Sequence, residues 1–318
     1  MKTTQYWYCA EFEEKYGTVQ RARGCYLYTR SGRRVVDMYQ EAGRAILGWG
    51  NSKATTVFKN IMSRGLTGTF PTDYGHQLKR AVKALLPEYD QVRWFNSLFS
   101  AQTALAQYFD FWTEIPLGEH PLLDPTETLF MENHDLALDN WLLKKGVPRW
   151  RPWLDEAWFA SRQDIPQQVM EVNEKAQTAI VVVPPLPWVR TYYLVGFTEL
   201  EGRFIPPSDV LLPPVMASTA RAIYDLIAEM PNRSEKDWCR FDFVVGKYWD
   251  RRGPYLLPLL PQSQYRDFFH HCLDCGIFIS PNYRIPSIIP CGAQEGDFTQ
   301  LKRNPFPFQH ERMHGMDG

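Results

Sequence analysis

A chain of 318 residues with 44% hydrophobic, 22% charged and 14% aromatic side chains can bury a full core, which excludes a disordered or fibrous protein. Its 35 basic and 36 acidic side chains leave a formal net charge of −1 with no long block of either sign, which argues against nucleic acid as a partner. Met1 to Cys9 lacks an apolar leader core, no stretch reaches bilayer length, and the six cysteines are too sparse for a secreted disulfide framework. The sequence therefore predicts a cytoplasmic location, no membrane association and free thiols.

In chain order, residues 3–17 read as a short amphipathic helix. Gly24 to Asp37 reads as a hairpin that turns at Arg30-Ser31-Gly32-Arg33, with β-branched and aromatic residues on both arms. Ala54 to Met62 and Tyr74 to Leu86 carry apolar residues at three- and four-residue intervals and predict helices, the second stopped by Pro87. Val92 to Phe95 is a short buried strand that runs through Asn96-Ser97 into a helical stretch, Ala101 to Trp112. Helix, strand, turn, helix is the order of an α/β layer in which the carboxyl end of the strand faces whatever is bound.

A second unit is predicted from Thr128 to Met131 with the helix Asp135 to Lys145, and further strands from Ala179 to Val183 and Tyr192 to Phe197. Pro148 to Gln168 and Leu186 to Pro214 are proline-rich, irregular connections. Pro213-Pro214 opens a helix, Val215 to Met230. Strands are then predicted at Phe241 to Val245, Tyr255 to Leu260 and Gly276 to Ser280, with a helix from Tyr265 to Cys275.

Three segments carry a resemblance to a known family. GCYLYTRSGRRVVDMYQEAGRAILGWG, Gly24 to Gly50, is similar to the amino-terminal signature of class III aminotransferases and glutamate-1-semialdehyde aminomutases; Tyr26, Leu27, Gly32, Arg33, Asp37, Leu47 and Gly48 keep its positions and Trp49 stands where histidine is usual. VRWFNSLFSAQTALAQYF resembles the family's strand-to-helix turn, in which backbone N–H groups and hydroxyls at a helix start hold the cofactor phosphate. Asn96, Ser97 and Ser100 are the remnant phosphate-binding residues this implies. Leu98 replaces a glycine, Phe99 a threonine and Ser100 an acid, which makes a poor cradle. FFHHCLDCGIFISPNYRIPSIIP is similar to the family's carboxyl-terminal helix and strand.

The resemblance implies a shortened α/β fold of type I: a large domain with a mostly parallel sheet and helices on both faces, and a smaller α+β domain formed by the two ends of the chain. The expected boundaries are 1–65 and 213–303 for the smaller domain, 66–212 for the larger, and 304–318 as a frayed tail. It also implies a homodimer or pairing with an active paralogue, with a possible small-molecule ligand.

The family's ring-stacking aromatic, its Asp-Glu-Val strand and the Schiff-base lysine after a strand have no counterpart in the short central region. The sequence thus predicts no catalytic residue and no cofactor, with pyridoxal phosphate as the cofactor if the chain is an active transaminase or aminomutase.

Other candidates have plainer readings. Lys247 follows Val244-Val245-Gly246 as the family lysine follows a strand, but Tyr-Trp-Asp-Arg-Arg comes after it where glycines belong, and it reads as a solvated strand-end lysine. Lys175 precedes a strand, at the wrong sheet edge. His270, His271, Cys272 and Cys275 are helix residues with too few ligands for a structural zinc site. His76 reads as a surface residue and His134 as part of a helix start.

Overall fold

The computed structural model describes residues 6–50, 52–109, 122–123, 147–154, 178–188 and 192–308, which form two compact units. In chain order the elements are α1 (Trp7–Tyr16), β1 (Val19–Arg23), β2 (Tyr26–Thr29), β3 (Arg34–Asp37), α2 (Ser52–Ser63), α3 (Tyr74–Leu85), β4 (Gln91–Phe95) and α4 (Leu98–Phe109). There follow β5 (Leu122–Leu123), β6 (Val147–Trp150), β7 (Ala179–Val182), β8 (Tyr193–Phe197), α5 (Pro213–Glu229), α6 (Glu235–Cys239), α7 (Asp242–Val245), β9 (Trp249–Arg252) and β10 (Tyr255–Pro258). The chain closes with α8 (Tyr265–Asp274), β11 (Ile277–Phe278), β12 (Ser287–Ile288) and α9 (Thr299–Arg303). Among the described residues no helix is long and apolar enough to cross a membrane.

One unit joins residues 1–50 to 233–318. Its sheet has the order β1-β2-β3-β11, antiparallel through the predicted hairpin and parallel where β11 meets β3. Phe12 and Phe269, from α1 and α8, pack their rings on Phe278 at 5.5 and 5.8 Å, and the Tyr16 hydroxyl donates to the Leu273 carbonyl. A second small sheet, β12-β10-β9, completes the unit.

The other unit, residues 51–232, holds the five-stranded sheet β4-β8-β7-β6-β5. Strands β5, β6 and β7 are parallel, and β8 runs antiparallel between β7 and β4, so β4 points the same way as the parallel set. Alternation along the strands sends side chains to both faces. Val92, Ile180, Val182 and Leu194 pack under Leu78 and Val82 of α3 and Met216, Ala220 and Ile223 of α5. Phe95, Val181, Val195 and Phe197 pack under Ala101, Ala104, Leu105 and Tyr108 of α4. This is the expected α/β fold, with helices on both faces of the sheet.

Two expectations are placed differently. Phe241 to Val245 is not a strand: Asp242–Val245 forms a helical turn, with Val244 and Val245 buried on one side. The division falls after Gly50 and before Arg233, whereas the sequence reading assigned 51–65 and 213–232 to the smaller domain. The reason is packing, since Ala54 of α2 and Ala222 of α5 bury Leu186 from the β7–β8 connection, while α5 covers one face of the large sheet. The predicted strand Thr128 to Met131 and helix Asp135 to Lys145 lie outside the described residues.

Candidate functional site

The turn after β4 is where the sequence places its candidate residues, and the structure brings Asn96, Ser97 and Ser100 together there. Ser97 caps α4: its Oγ accepts the Ser100 N–H at 3.0 Å and bonds the Ser100 hydroxyl at 3.1 Å, while its carbonyl accepts the Ala101 N–H at 3.1 Å. A serine oxygen at a helix start satisfies one of the amides left without an intrahelical acceptor, a role it shares with phosphate. Phe99, on the first turn of α4, is 62% exposed.

A strap from Pro206 to Val210 lies along the edge of β4 not paired with β8. The Arg93 Nε–H donates to the Pro206 carbonyl at 3.1 Å, the Trp94 N–H to Ser208 Oγ at 3.3 Å and the Trp94 indole N–H to the Asp209 carbonyl at 2.8 Å. The Asp209 N–H returns to the Trp94 carbonyl at 2.9 Å. At the turn itself the Asn96 N–H donates to Asp209 Oδ2 at 2.7 Å, and the Asn96 side-chain amide donates to the Val210 carbonyl at 2.9 Å. A carboxylate from the chain itself thus holds a backbone amide of this turn in a charge-assisted bond. Asp209 was not singled out from the sequence; its signal is Pro206-Pro207-Ser208-Asp209, two residues that keep the chain extended and two whose short side chains bond backbone amides.

The sheet register aligns the carboxyl ends of β4, β6 and β7 at one edge, since Phe95 pairs with Tyr193, Val182 with Leu194, and Trp150 with Val182. Those strands continue into Asn96-Ser97, Arg151-Pro152 and Val183-Pro184. Arg151 is buried, and the β7–β8 connection folds inward, with the Leu186 N–H bonding the Pro184 carbonyl and Leu186 buried. On the α3/α5 face, the Tyr192 hydroxyl bonds the hydroxyl of Thr219. Among the described residues, no lysine stands at these three strand ends.

The remaining candidates lie elsewhere. Lys247 is exposed after α7 in the other unit, its Nζ 5.5 Å from the Tyr248 ring. His270 Nε2 pairs with Glu11 at 3.1 Å and His271 Nε2 bonds the Asn304 carbonyl at 2.7 Å. Cys272 is fully buried, and burial pushes its thiol pKa up, away from the thiolate a metal needs. Among the described residues no three His, Cys, Asp or Glu side chains cluster for a metal. His76 is exposed on α3; Lys175 and His134 lie outside the described residues.

Asp37 and Trp49, from the amino-terminal motif, do meet. Asp37 Oδ1 accepts the N–H groups of Tyr39 and Gln40 at 3.0 and 2.9 Å, and Oδ2 accepts the Trp49 indole N–H at 2.6 Å. Burial pushes the Asp37 carboxyl up to about 6 against the lowering effect of those bonds. The chain beyond it runs through three left-handed residues, Gln40, Glu41 and Ala42, with φ of 48, 49 and 57°.

Pyridoxal phosphate, the cofactor implied by the family resemblance, needs an anion seat at the turn, an amine to capture its aldehyde and an acid for its ring nitrogen. The described residues at this edge do not fit it. The Asn96 amide already holds a carboxylate, the strand ends offer no amine, and the acid present, Asp209, is bound to the turn.

No family model matches the chain. It is 26% identical over 89% of its length to an uncharacterized protein of Treponema pallidum, covering 92% of that protein, and 25% identical over 94% of its length to one of Borreliella burgdorferi, covering 94% of that one. A 79-residue stretch, 25% of the chain, is 28% identical to the glutamate-1-semialdehyde 2,1-aminomutase of Syntrophobacter fumaroxidans, covering 18% of that enzyme. Among solved structures, an ornithine aminotransferase from Plasmodium yoelii superposes with a TM-score of 0.58 at 15% identity, over 93% of this chain and 96% of that one. An acetylornithine aminotransferase from Elizabethkingia anophelis gives 0.56 at 14% identity, over 94% and 98%. Along nearly its whole length, the chain has the fold of the class III, fold-type I aminotransferases.

Proposed function

We propose that this chain is a catalytically degenerate class III aminotransferase-like protein, cytoplasmic and homodimeric, whose role is binding, scaffolding or regulation. The occupied turn carries the reading: the Asn96 amide, beside the capped start of α4, is bound to Asp209 at 2.7 Å. A phosphate brought to this turn meets a fixed negative charge where the resemblance calls for free amides. The strand ends add to this, because Asn96-Ser97, Arg151-Pro152 and Val183-Pro184 supply no amine to condense with an aldehyde. What such a chain keeps is surface and fold, which suffice for binding a partner.

A second reading, an active pyridoxal-phosphate aminotransferase or aminomutase with an eroded turn, draws on the 79-residue likeness to the aminomutase. One experiment separates the two. The purified protein is mixed with pyridoxal phosphate, its visible absorbance recorded, and the mixture reduced with borohydride and mapped by peptide mass spectrometry. The proposal expects no saturable absorbance and no single labelled lysine. A stoichiometric label on one lysine peptide sinks it and establishes the second reading, and light scattering on the same sample tests the dimer.

A further inference from the structure

The sheet of the smaller unit ends at β1, and among the described residues no strand pairs with its outer side. Every residue of β1 except Ala22 is exposed. Arg21 stands opposite Tyr28 and Arg23 opposite Tyr26, while Tyr28 stands opposite Arg34, so all five side chains share one face of the sheet. Residues 18–34 contain five arginines and no acid, in a chain whose formal charge is −1. Arg34 is paired with Asp297 at 2.7 Å. Arg21, Arg23, Arg30 and Arg33 are exposed, and none of them forms an ion pair among the described residues.

We infer that β1 is a docking strand for an extended acidic segment of a partner protein, which adds a fifth strand to this sheet with carboxylates at alternate positions. An outer strand offers unpaired backbone N–H and C=O groups that an extended peptide can use. Side chains two apart on such a peptide are separated by about 7 Å on one face, the same repeat that separates Arg21 from Arg23. Each carboxylate then lies across from a guanidinium able to take it in a forked pair. The register shift in β1 falls between Val19 and Arg21, and the Gly24 N–H and C=O are already bonded to Trp49, so between these limits Ala22 presents the outward backbone N–H and C=O, flanked by the Arg21 and Arg23 side chains.

Two other occupants fit less well. A second copy brings the same arginines to an edge-to-edge contact, and like charges directly opposite one another oppose pairing. A single-stranded nucleic acid needs bare rings for its bases, but the Arg21 guanidinium lies 5.9 Å from the Tyr28 ring centre and that of Arg34 4.4 Å from Tyr26, whose hydroxyl also bonds Asp297 at 2.7 Å. Only the peptide uses both the free edge and the alternating cations.

The test uses the full chain and a fluorescein-labelled decapeptide alternating Glu and Thr, with binding read by anisotropy at low salt. Saturable binding is expected. It should fall at least tenfold in the double variant Arg21→Glu, Arg23→Glu, whose folding is checked by circular dichroism. It should fall similarly when the threonine nitrogens of the peptide are methylated, which removes backbone donors and leaves every carboxylate in place. Affinity unchanged by methylation overturns strand addition, and affinity unchanged by charge reversal overturns the assignment to β1. Equal or tighter binding of a ten-nucleotide oligothymidylate overturns it in favour of nucleic acid, and no binding at millimolar peptide overturns it outright.

Discussion

Replacing Asp37 by asparagine tests how this unit tolerates a buried carboxylate beside a left-handed run. Raising a carboxyl pKa from its ordinary 3.8 to about 6 means that the ionised side chain destabilises the folded state by about 3 kcal/mol at neutral pH. The sign follows from proton counts. Below the unfolded pKa both states are protonated and nothing is lost. Between 3.8 and about 6 the folded state holds a proton that the unfolded state has released, so stability falls as pH rises. Above that window the loss is constant. From pH 4.5 to 7 this one group should remove about 2 kcal/mol.

Asparagine cannot ionise, and its oxygen can still accept the Tyr39 and Gln40 amides. Its NH2 then faces the Trp49 indole N–H across the present 2.6 Å bond, donor against donor, at a fixed cost of about 1–3 kcal/mol. That cost does not depend on pH. Urea melts of wild type and Asp37→Asn at pH 4.5, 5.5 and 7, followed by tryptophan fluorescence, should show the difference between the two proteins moving about 2 kcal/mol in favour of the variant as pH rises. Other titrating groups are common to both proteins and cancel. A difference that stays constant to within about 0.5 kcal/mol across that range refutes the assignment of a raised pKa to Asp37.

Three further outcomes are expected. Ser97→Ala removes the oxygen that caps α4 and should lower stability by about 1 kcal/mol in urea melts, with Ser97→Asp restoring it. Ala42→Gly relieves a left-handed alanine at φ 57° and should raise stability by about 1 kcal/mol, read as a higher melting temperature. Gly196→Ala places a Cβ 2.9 Å from Tyr89 Cγ in the buried face of β8, and the resulting overpacking should reduce stability by about 1–3 kcal/mol in the same urea melts.

Periodicity made most elements legible. α3 and α5 show helical spacing because one face of each is buried against β4, β7 and β8, and Ala179 to Val182 is an unbroken apolar run because that strand is covered on both faces. Phe241 to Val245 misled for the same reason: two phenylalanines and two valines among five residues satisfy a strand pattern, yet the carbonyls of Phe241 and Asp242 accept the Val245 and Gly246 N–H groups in helical turns. The domain boundary was out of reach because α2 and α5 are amphipathic whichever unit they join. Only the partners of Ala54 and Ala222 decide it, and those partners are distant in sequence. Likewise the candidate turn was legible in Asn96, Ser97 and Ser100, while Asp209 was not, since 113 positions separate it from the amide it holds.

The β4-to-α4 joint shows how the fold holds this turn without a bound anion. Phe95, Ala101, Ala104 and Leu105 flank the turn and form one buried cluster with Val181, Val195 and Phe197, so the joint is held by apolar packing that makes no use of a bound anion. The amides of a strand-to-helix turn still need acceptors when nothing else binds there, and Ser97 Oγ and Asp209 supply two of them. In a turn without such groups that demand falls to water. Here the strap meets it with a carboxylate and at the same time covers the open edge of β4 with bonds from Arg93, Trp94 and Asn96. The arrangement ties the state of the turn to the stability of the sheet, so an anion brought to the Asn96 amide has to displace a segment that β4 uses as its neighbour.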